Sequence, residues 1–419
     1  MFIVDTRPSL DKKPSRILMI VENLPVPFDR RVWNEATTLY AAGYQVTVIC
    51  PTGPNEKAFH ECIGGIHIYR HPLPTEGSGA IGFAVEYASA LICEWVLACW
   101  VLVRHGFDAI HICNPPDLLF LVGGFFKVLF GKKLVFDHHD LGPELYEAKF
   151  GRRDGLYRLL VRLERWTYYA ADISIATNES YRKVALERCG MEPERVFVVR
   201  SGPDLARLRV VPGDDALKCG RKYLVAYLGV IGQQDGLDLL MQSVSHIVHT
   251  LGRRDVHFGV VGGGPALEAT RKLAADLGIE PFVTFTGRAP DDLLLTMLNT
   301  ADVCVNPDRV NEANDKSTMN KTLEYMALGK PMVQFDMAEG RNSARDASLY
   351  AKANDPEDFA SCILDLLADP ERRRAMGDYG RRRIESQLSW SHEAPKLLAA
   401  YEALFPDGVP AAYGVSKRR

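Results

Sequence analysis

The chain has 419 residues, which is too long for one ordinary hydrophobic core and suits two domains. Hydrophobic residues make up 47% and charged residues 25%, the profile of a globular protein, and a net charge of −3 provides no field that would attract nucleic acid. The nine cysteines include no C-x-x-C pair and no metal-type Cys/His cluster, so we expect reduced thiols, a cytoplasmic setting and no bound metal.

The first half of the chain alternates apolar runs with helical patterns, which predicts an α/β domain. A polar segment at 1–15 precedes it and lacks the apolar core of a signal peptide, so it is predicted to be a loose extension. The predicted strands of this half cover residues 16–22, 45–50, 66–71, 108–113, 133–136, 172–177 and 196–200.

The loop after the first predicted strand contains no G-x-G-x-x-G turn, which argues against a dinucleotide-binding dehydrogenase. In its place is a proline-rich loop that ends in Arg30 and Arg31, followed by a predicted helix at 32–42. The two arginines can meet phosphate groups of an acceptor substrate. Alternatively, they form a solvated pair that packs against Asp29 or Glu35.

Two apolar helices and a basic stretch favour contact with a membrane surface. The helix at 81–103 is nearly long enough to cross a bilayer, but Glu86 and Glu94 interrupt it, so a helix partly buried and partly at a membrane surface is preferred. A second apolar helix is predicted at 118–130. Residues 149–165 carry six basic and two acidic side chains among apolar ones, which is typical of a basic amphipathic helix, although a solvated helix is the alternative.

A polar loop follows the predicted strand at 133–136, at the end of the strand where α/β sheets place their chemistry. This loop contains His138, His139 and Asp140. A histidine beside an aspartate can be oriented and its pKa tuned, which suits a catalytic group. His139 is the preferred candidate and His138 the less favoured one, and a purely structural loop is the alternative.

The α/β pattern restarts after a polar linker at 204–222, so the domain boundary is placed between residues 203 and 204. Glycine-rich turns at 229–232 and 262–264 follow two of the strands of this half, and glycines there let a ligand approach the backbone. The predicted strands cover residues 223–228, 256–261, 282–287, 302–306 and 332–335, and the predicted helices include 237–251, 357–368, 371–383 and 390–404.

The segment at 314–331 is predicted to be one capped helix, with Ser317 and Thr318 able to cap its first turn. Lys321 and Glu324, three residues apart, share a face near its start. A helix N-terminus and a lysine attract phosphate oxygens, and a carboxylate can accept hydrogen bonds from ribose hydroxyls, so this face suits a nucleotide. An ordinary surface ion pair is the alternative.

The run from Asn320 and Lys321 to Pro331 resembles the donor-binding segment of GT-B glycosyltransferases, specifically glycosyltransferase family 4. In that family the second glutamate of a Glu-x7-Glu motif holds the ribose of the sugar nucleotide, and Glu324 occupies its place. The first glutamate is replaced by Lys316, which resembles a Lys-x-x-Glu-Tyr variant found among relatives that build bacterial polysaccharides. The resemblance thus implies that Asn320, Lys321, Glu324 and Lys316 lie at the donor.

The loop at 139–144 is similar to a family 4 loop with the pattern His-Asp-x-x-Pro-Glu, in which a histidine faces the donor sugar. That likeness implies His139 and Asp140 as catalytic residues. The same likeness places the acceptor in the first domain, so Arg30 and Arg31 are the predicted acceptor-side residues.

The turn after the first strand of the second half departs from the family pattern. Family members usually place an arginine and a lysine there at the donor phosphates, but the matching positions hold Ile231 and Asp235. The predicted phosphate contacts are therefore Lys321 and the backbone of Gly232, and Arg288 is implied near the nucleotide base.

The fold implied by the resemblance is GT-B, an α/β fold of two Rossmann-like domains that face each other across a cleft. The acceptor-side domain would cover residues 16–203 and the nucleotide-sugar-binding domain residues 204–388. A helix at 389–405 would cross back to the first domain, and 406–419 would be a tail.

The function implied is a retaining, metal-independent hexosyltransferase that needs no cofactor. It would move a sugar from a nucleotide-sugar to a hydroxyl of a glycan or lipid-linked acceptor in cell-surface polysaccharide synthesis, in the cytoplasm and with contact to the inner face of the membrane. Two other functions stay open: a GT-B-shaped nucleotide-sugar epimerase, and a non-catalytic binding partner in a polysaccharide assembly complex.

Overall fold

The computed structural model describes residues 14–53, 55–72 and 79–406, without the side chains of residues 79–86. Nearly all of the predicted N-terminal extension and C-terminal tail lies outside the described residues. The described chain forms two compact units. The first takes in residues up to Pro143, the segment Arg152–Val199 and the chain from Ala394 onwards, and the second takes in Glu144–Gly151 and Arg200–Glu393.

The first unit is built on an eight-stranded sheet with the strand order β3-β4-β2-β1-β5-β6-β7-β8. All neighbouring strands are parallel except β3 and β4, which form an antiparallel hairpin at one edge. The seven predicted strands are all present, and the short edge strand β3 is additional. The strands are β1 (Arg16–Val21), β2 (Gln45–Pro51), β3 (His60–Ile63), β4 (Ile66–His71), β5 (Ala109–Cys113), β6 (Lys133–His138), β7 (Ile173–Ala176) and β8 (Val196–Val198).

The second unit is built on a six-stranded, all-parallel sheet with the strand order β11-β10-β9-β12-β13-β14. Counted within the unit, this order is 3-2-1-4-5-6, the doubly wound order of nucleotide-binding sheets. The strands are β9 (Tyr223–Leu228), β10 (Val256–Val261), β11 (Val283–Gly287), β12 (Val303–Asn306), β13 (Met332–Phe335) and β14 (Ser348–Ala351).

Helices cover both sheets, as parallel sheets require. Residues Ile17 to Val21 of β1 are each at most 1% exposed, so both faces of this strand are buried. In chain order the α-helices are α1 (Arg30–Ala41), α2 (Gly79–Arg104), α3 (Phe120–Phe130), α4 (Gly142–Phe150), α5 (Gly155–Ala170), α6 (Glu179–Lys183), α7 (Leu237–Ser245), α8 (Leu267–Asp276), α9 (Asp291–Thr300), α10 (Glu312–Lys316), α11 (Asn320–Ala327), α12 (Ala338–Ala344), α13 (Pro356–Ala368), α14 (Pro370–Arg383) and α15 (Trp390–Leu404).

The helix α2 is long and apolar enough, over Tyr87–Arg104, to cross a membrane by length and composition alone. One such helix is weak evidence for a span. Glu94 on this helix is fully buried, and its carboxylate lies 3.9 Å from Nε2 of His71. Burial raises the pKa of Glu94 well above its usual range, so the carboxyl group is protonated inside the fold.

The helix predicted within 314–331 is present as α11, but its predicted caps are wrong and a separate short helix, α10, precedes it. The side chain of Asn311 caps α10, and residues 317–319 separate the two helices. Neither Ser317 nor Thr318 caps α11, since the hydroxyl of Ser317 donates to the carbonyl of Ala313 and that of Thr318 accepts from Arg200. Both hydroxyls thus bond to groups outside α11, and the backbone between the two helices is not helical.

The basic stretch at 149–165 is likewise not one helix. The helix α4 ends at Phe150, and Asp154 caps a new helix, α5, by accepting hydrogen bonds from the backbone of Leu156 and Tyr157. The sequence places Glu144–Gly151 in the first domain, whereas in the structure this segment groups with the second unit. Glu144 explains this grouping, because its carboxylate bonds to Lys316 of the second unit.

Tyr325 ties the helix α11 to the centre of the second sheet. Its hydroxyl accepts a hydrogen bond of 2.8 Å from the backbone of Leu228 and donates one of 3.1 Å to the carbonyl of Val305. The side chain is fully buried. One hydroxyl therefore satisfies the ends of two neighbouring strands, β9 and β12, at the point where the sheet can bind a ligand.

We expect Tyr325→Phe to lower the free energy of unfolding by about 1–3 kcal/mol, because two buried backbone groups lose their partner. The measurement is urea unfolding followed by circular dichroism. The matched control is Tyr169→Phe, whose side chain is 90% exposed and whose effect should stay within about 0.5 kcal/mol. Equal stability of the two variants would contradict the role of the Tyr325 hydroxyl.

Candidate functional site

The carboxyl ends of β9 and β12 form the switch point of the second sheet, because the chain leaves these two neighbouring strands towards opposite sides. A crevice at such a point is the usual ligand site of a doubly wound sheet. The glycine-rich turn 229–236 follows β9, and Asp308 follows β12. Tyr227, near the end of β9, lies in the same place.

Lys321 points into this crevice from the first turn of α11. Its Nζ lies 2.6 Å from Oδ1 of Asp308, 3.7 Å from Oδ1 of Asp235 and 3.4 Å from the hydroxyl of Tyr227. The ammonium group also stands 4.9 Å from the centre of the Tyr227 ring. Lys321 is buried, so a cation is held next to two carboxylates rather than exposed on the helix surface.

Asp308 was not predicted as a site residue, although it follows a buried strand directly. Burial, with repulsion from Asp235, outweighs the attraction of Lys321 and raises the pKa of Asp308 to about 6. The local charge at Lys321 therefore becomes more positive as the pH falls below about 6. The rule that α/β sheets carry functional groups at strand ends would have found this residue.

In the turn after β9, the carboxylate of Asp235 accepts a hydrogen bond from the backbone of the turn itself. The backbone N–H of Gly232 donates to Oδ2 of Asp235 at 2.9 Å. A Cβ at Gly262 would lie 1.8 Å from the carbonyl oxygen of Gly229, and one at Gly264 2.6 Å from that of Ile231. The glycines at 262–264 therefore allow two turns to pack together. From the sequence, we predicted that these glycines let a ligand approach the backbone.

Glu324 lies one turn further along α11 and is partly exposed. Its Oε1 accepts a hydrogen bond of 2.7 Å from Nη2 of Arg207, and Nη1 of Arg207 lies 3.3 Å from Oδ1 of Asp291. Lys321 and Glu324 thus each have a separate partner, and the surface ion pair between them is not formed. Arg207 lies in the segment that we predicted from the sequence to be a polar linker.

Lys316 is held by two carboxylates. Its Nζ lies 2.9 Å from Glu144 and 2.7 Å from Glu312. Burial would lower the pKa of Lys316, but the hydrogen bonds to Glu312 and Glu144 raise it above its ordinary value. Lys316 therefore stays charged and anchors α4. Asn320 and Arg288 are exposed at the surface of the second unit.

A pocket of about 920 Å³ opens in the second unit beside the 229–236 turn. Apolar side chains of α4, α7 and α8 line it, among them Leu145, Leu237 and Leu273, together with the basic side chain of Lys149. Among the described residues that were predicted to bind the sugar donor, Gly232 lines this pocket.

In the first unit, Asp137 at the end of β6 is the centre of a buried polar cluster. Both of its oxygens accept from Arg31, with Nη2 at 2.6 Å and Nε at 2.9 Å, and Nε2 of His139 also bonds to it. Burial opposes ionisation, but Arg31 and His139 outweigh it and hold the pKa of Asp137 well below its usual range. Asp137 is therefore a buried carboxylate that orients His139.

Arg31 cannot serve as an exposed acceptor contact. It is buried, it pairs with Glu35 at 3.2 Å as well as with Asp137, and it donates to the carbonyl of Val199 at 2.9 Å. Its charge is needed inside the fold, because it balances the buried carboxylates of Asp137 and Glu35. Arg30 is exposed, so the predicted acceptor-side role falls on Arg30 alone.

The two neighbouring histidines differ in their surroundings. His138 is fully buried, its Nδ1 lies 2.7 Å from the hydroxyl of Tyr168, and burial lowers its pKa to about 3. The side chain of His139 keeps 12% of its surface exposed, and its backbone N–H donates to Oδ1 of Asn114 at 2.7 Å. The geometry makes His138 structural and favours His139 as the reactive histidine.

The loop after β5 supports the histidine loop. The side-chain amide of Asn114 donates to the carbonyl of Asp140 at 2.7 Å and to Oδ1 of Asp117 at 2.9 Å. Burial raises the pKa of Asp140, and burial together with Glu164 raises that of Asp117 to about 7. Asp117 is thus a buried acid at neutral pH that sequence reasoning passed over, although it also follows a strand end.

Within the described residues, His111, Cys113 and Asp137 bring three atoms that can bind a metal within 4.8 Å of one another. Asp137 is already paired with Arg31, and burial raises the pKa of the Cys113 thiol well above its usual range. A protonated thiol and an adjacent guanidinium oppose a cation at this position. Metal independence stays a prediction.

We expect the stability of the wild type relative to Asp308→Asn to fall as the pH rises from about 4 to about 6. Over that range folded Asp308, with its pKa raised from 3.8 to about 6, keeps a proton that the unfolded chain has released. The slope should reach at most about 1.4 kcal/mol per pH unit in urea unfolding.

The control for this measurement is Asp336→Asn, because the hydrogen bond from Arg341 lowers the pKa of Asp336. Its stability difference from the wild type should not fall over the same range. A pH-independent difference for Asp308→Asn would contradict the raised pKa.

Two family models match the chain. Residues 29–207 match the model described as Glycosyltransferase Family 4, and residues 222–369 match the one described as Glycosyl transferases group 1.

The D-inositol 3-phosphate glycosyltransferase of Nocardia farcinica is 28% identical over 262 residues, which cover 59% of this chain and 56% of the relative. The GDP-mannose-dependent alpha-(1-6)-phosphatidylinositol monomannoside mannosyltransferase of Mycobacterium tuberculosis is 31% identical over 208 residues, 47% of this chain and 53% of the relative. The chain spans about half the length of these curated relatives.

Solved structures share the fold over nearly the whole chain. Sucrose-phosphate synthase from Thermosynechococcus elongatus superposes with a TM-score of 0.78 at 19% identity, covering 94% of this chain and 100% of that one. The Anabaena protein HepE in complex with UDP and glucose gives 0.71 at 16% identity, over 93% of this chain and 100% of that one. The chain therefore contains a Glycosyltransferase Family 4 domain and a Glycosyl transferases group 1 domain, and it has the GT-B fold of these solved structures.

Proposed function

We propose that the protein transfers a sugar from a nucleotide-sugar to a hydroxyl group of a glycan or lipid-linked acceptor, with retention of anomeric configuration and without a metal. The observation that carries this proposal is the placement of Lys321 and Glu324, three residues apart on α11, at the switch point of a doubly wound sheet. This arrangement combines a cation for a diphosphate with a carboxylate for a ribose.

Lys321 would bind the diphosphate of the donor and stabilise it as a leaving group. In the ligand-free chain the Nζ of Lys321 bonds to Asp308, and Asp235 holds the N–H of Gly232. An incoming phosphate competes with both carboxylates, so protonation of Asp308 or movement of Asp235 would accompany binding. In this proposal, a phosphate replaces the contact of Lys321 with Asp308 and that of Gly232 with Asp235.

Glu324 would accept hydrogen bonds from the two ribose hydroxyls. Its bond to Arg207 orients the carboxylate, because the guanidinium donates to one of its two oxygens. Arg207 in turn is fixed by Asp291. These two residues would therefore set the position of Glu324 without a contact to the donor.

His139 would stabilise charge that develops near the transferred sugar. Asp137 holds the imidazole in place, so its ring can interact with charge that develops on the sugar. A protein cation can thus do at the sugar what a metal ion does elsewhere. The described residues offer no obvious nucleophile in the histidine loop, so a same-face substitution is the mechanism that we propose.

The acceptor is proposed to be membrane-bound, because the first unit has a continuous apolar surface. We define the outer apolar surface by its exposed side chains on α2, α3 and α5. These are Ile92, Trp95, Val96, Trp100, Val103, Leu121, Val128, Leu129, Phe130, Leu156, Leu159, Trp166 and Tyr169. The ring centres of Trp95 and Phe125 are 5.3 Å apart and those of Phe120 and Trp166 6.4 Å apart, which joins the three helices side by side.

Exposed basic residues border the outer apolar surface on α5 and after α3. They are Lys133, Arg158, Arg162 and Arg165. Apolar side chains with a basic border fit an anionic lipid surface, where each basic residue contributes about 1 kcal/mol. A large exposed apolar patch on a folded chain marks an interaction site. We therefore place the protein at the inner face of the cell membrane.

The functions of the relatives support the proposal of sugar transfer, and their substrates differ. One acts on D-inositol 3-phosphate and another on a phosphatidylinositol monomannoside with GDP-mannose. HepE binds UDP and glucose. Both UDP- and GDP-linked sugars therefore belong among the donors tested.

We expect one nucleoside diphosphate and its sugar to raise the unfolding temperature of the wild type saturably, because ligand binding stabilises by mass action. Glu324→Ala should weaken this binding about 10–100-fold, since a hydrogen bond to a charged group is lost. The panel contains UDP, GDP and their hexose derivatives. Glu371→Ala, a change at an exposed glutamate of α14, is the control.

Donor conversion with and without acceptor separates the three functions. Turnover only with a lipid-linked or glycan acceptor supports transfer, and release of an epimerised sugar without acceptor supports the epimerase. If no nucleotide shifts the transition at millimolar concentration, the transferase proposal fails and a binding partner is the function to pursue.

We expect the protein to sediment with phosphatidylglycerol vesicles more than with phosphatidylcholine vesicles, and less as salt is raised. Leu129→Glu and Trp100→Glu should each reduce vesicle binding about 10-fold or more, because an apolar contact is replaced by a charge repelled by the lipid. The control is Val210→Glu, an exposed apolar position of the second unit. Unchanged sedimentation of both α2 and α3 variants would contradict a role of the outer apolar surface.

A further inference from the structure

The hairpin of β3 and β4 carries a cluster of imidazole rings that the proposed transfer reaction does not use. His60 lies on the edge strand β3, and His67 and Tyr69 lie on β4. His105, just after α2, completes the cluster. All four rings belong to the first unit.

Two ring nitrogens in this cluster point at each other. Nε2 of His60 lies 3.2 Å from Nδ1 of His67, and the two rings are nearly parallel, at 18°. A metal ion that lies to one side of the line between these two nitrogens can bind both of them. When a tetrahedral ion binds two imidazoles at Zn–N distances of about 2.0–2.1 Å, the nitrogens lie about 3.3 Å apart. The separation in the structure matches this value.

The surrounding contacts fix the two rings. Tyr69 stacks on His60 with ring centres 4.5 Å apart, and the ring of His105 packs against His67 at the same separation, tilted by 31°. The hydroxyl of Tyr69 lies 2.7 Å from Nε2 of His105, which closes the ladder of rings. Rings held in this way lose little freedom on binding an ion, so the pair is organised in advance.

The two nitrogens that face each other are the atoms that would bind the ion. A neutral imidazole is the form that binds a metal ion. His60 is exposed, so solvent can supply the remaining ligands of an ion.

We propose that Nε2 of His60 and Nδ1 of His67 bind one divalent transition-metal ion of borderline softness, represented by Zn²⁺, on the edge of the first sheet. Imidazole nitrogen is a preferred ligand of this class of ion. The ion would join β3 to β4 and so stabilise the edge strand. Tyr69 and His105 are positioning residues in this site, since they touch the two ligating rings.

The test is isothermal titration of the full chain with ZnCl₂ at pH 7.5 in a reductant that does not bind zinc. We expect one ion per chain and a saturable rise in unfolding temperature. His60→Ala and His67→Ala should each weaken binding at least about 10-fold, because one of two ligands is lost. His249→Ala, which removes an exposed histidine of the second unit, should leave the affinity unchanged.

A second measurement guards against variants that fold poorly. The metal-free unfolding temperatures of His60→Ala and His60→Gln should equal that of the wild type, because His60 is exposed on an edge strand. Binding should also weaken at pH 5.5, where protons compete for the imidazoles. One-to-one binding that persists in the double variant His60→Ala/His67→Ala would overturn the proposal, and so would the absence of binding in the wild type.

Discussion

Both units depend on the same constraint: parallel strands that are buried on both faces end at one edge of the sheet. The loops that follow those strands therefore lie side by side at that edge of the sheet. In the second unit this brings the 229–236 turn next to Asp308, and in the first it brings Asn114 next to Asp137 and the histidine loop. The site residues are thus neighbours because of strand order, although they lie far apart in the chain.

Charge pairing inside the fold decides which of these residues can meet a substrate. Arg31 is committed to Asp137, and Lys321 to Asp308, because a buried charge without a partner is costly. The two pairs differ in their consequences. The first removes an arginine from the surface and makes it an orienting group for the histidine loop. The second leaves a lysine at the sheet's switch point, where a phosphate can replace the carboxylate.

The departures from the family pattern are compensated within the second unit. Asp235 stands where a basic residue is usual, and its carboxylate bonds to Gly232 and lies near Lys321. Lys316 stands where a glutamate is usual, and it bonds to Glu144 and Glu312. Asp235 and Lys316 therefore each lie next to a side chain of opposite charge. The proposed donor site is therefore a different arrangement of charges on a shared fold, and sugar specificity cannot be transferred to it position by position.

Periodicity, strand-end loops and one motif were enough to determine the fold class, most strands and helices, and the candidate positions Lys321, Glu324 and His139. These signals are local, since they depend on residues a few positions apart. The sequence did not determine that Arg31 is buried, that Arg207 bonds to Glu324, or that Asp308 and Asp117 have raised pKa values. The break between α10 and α11 was also missed. Partners distant in the chain decide all of these, because burial and charge pairing exist only once the strands have been brought together.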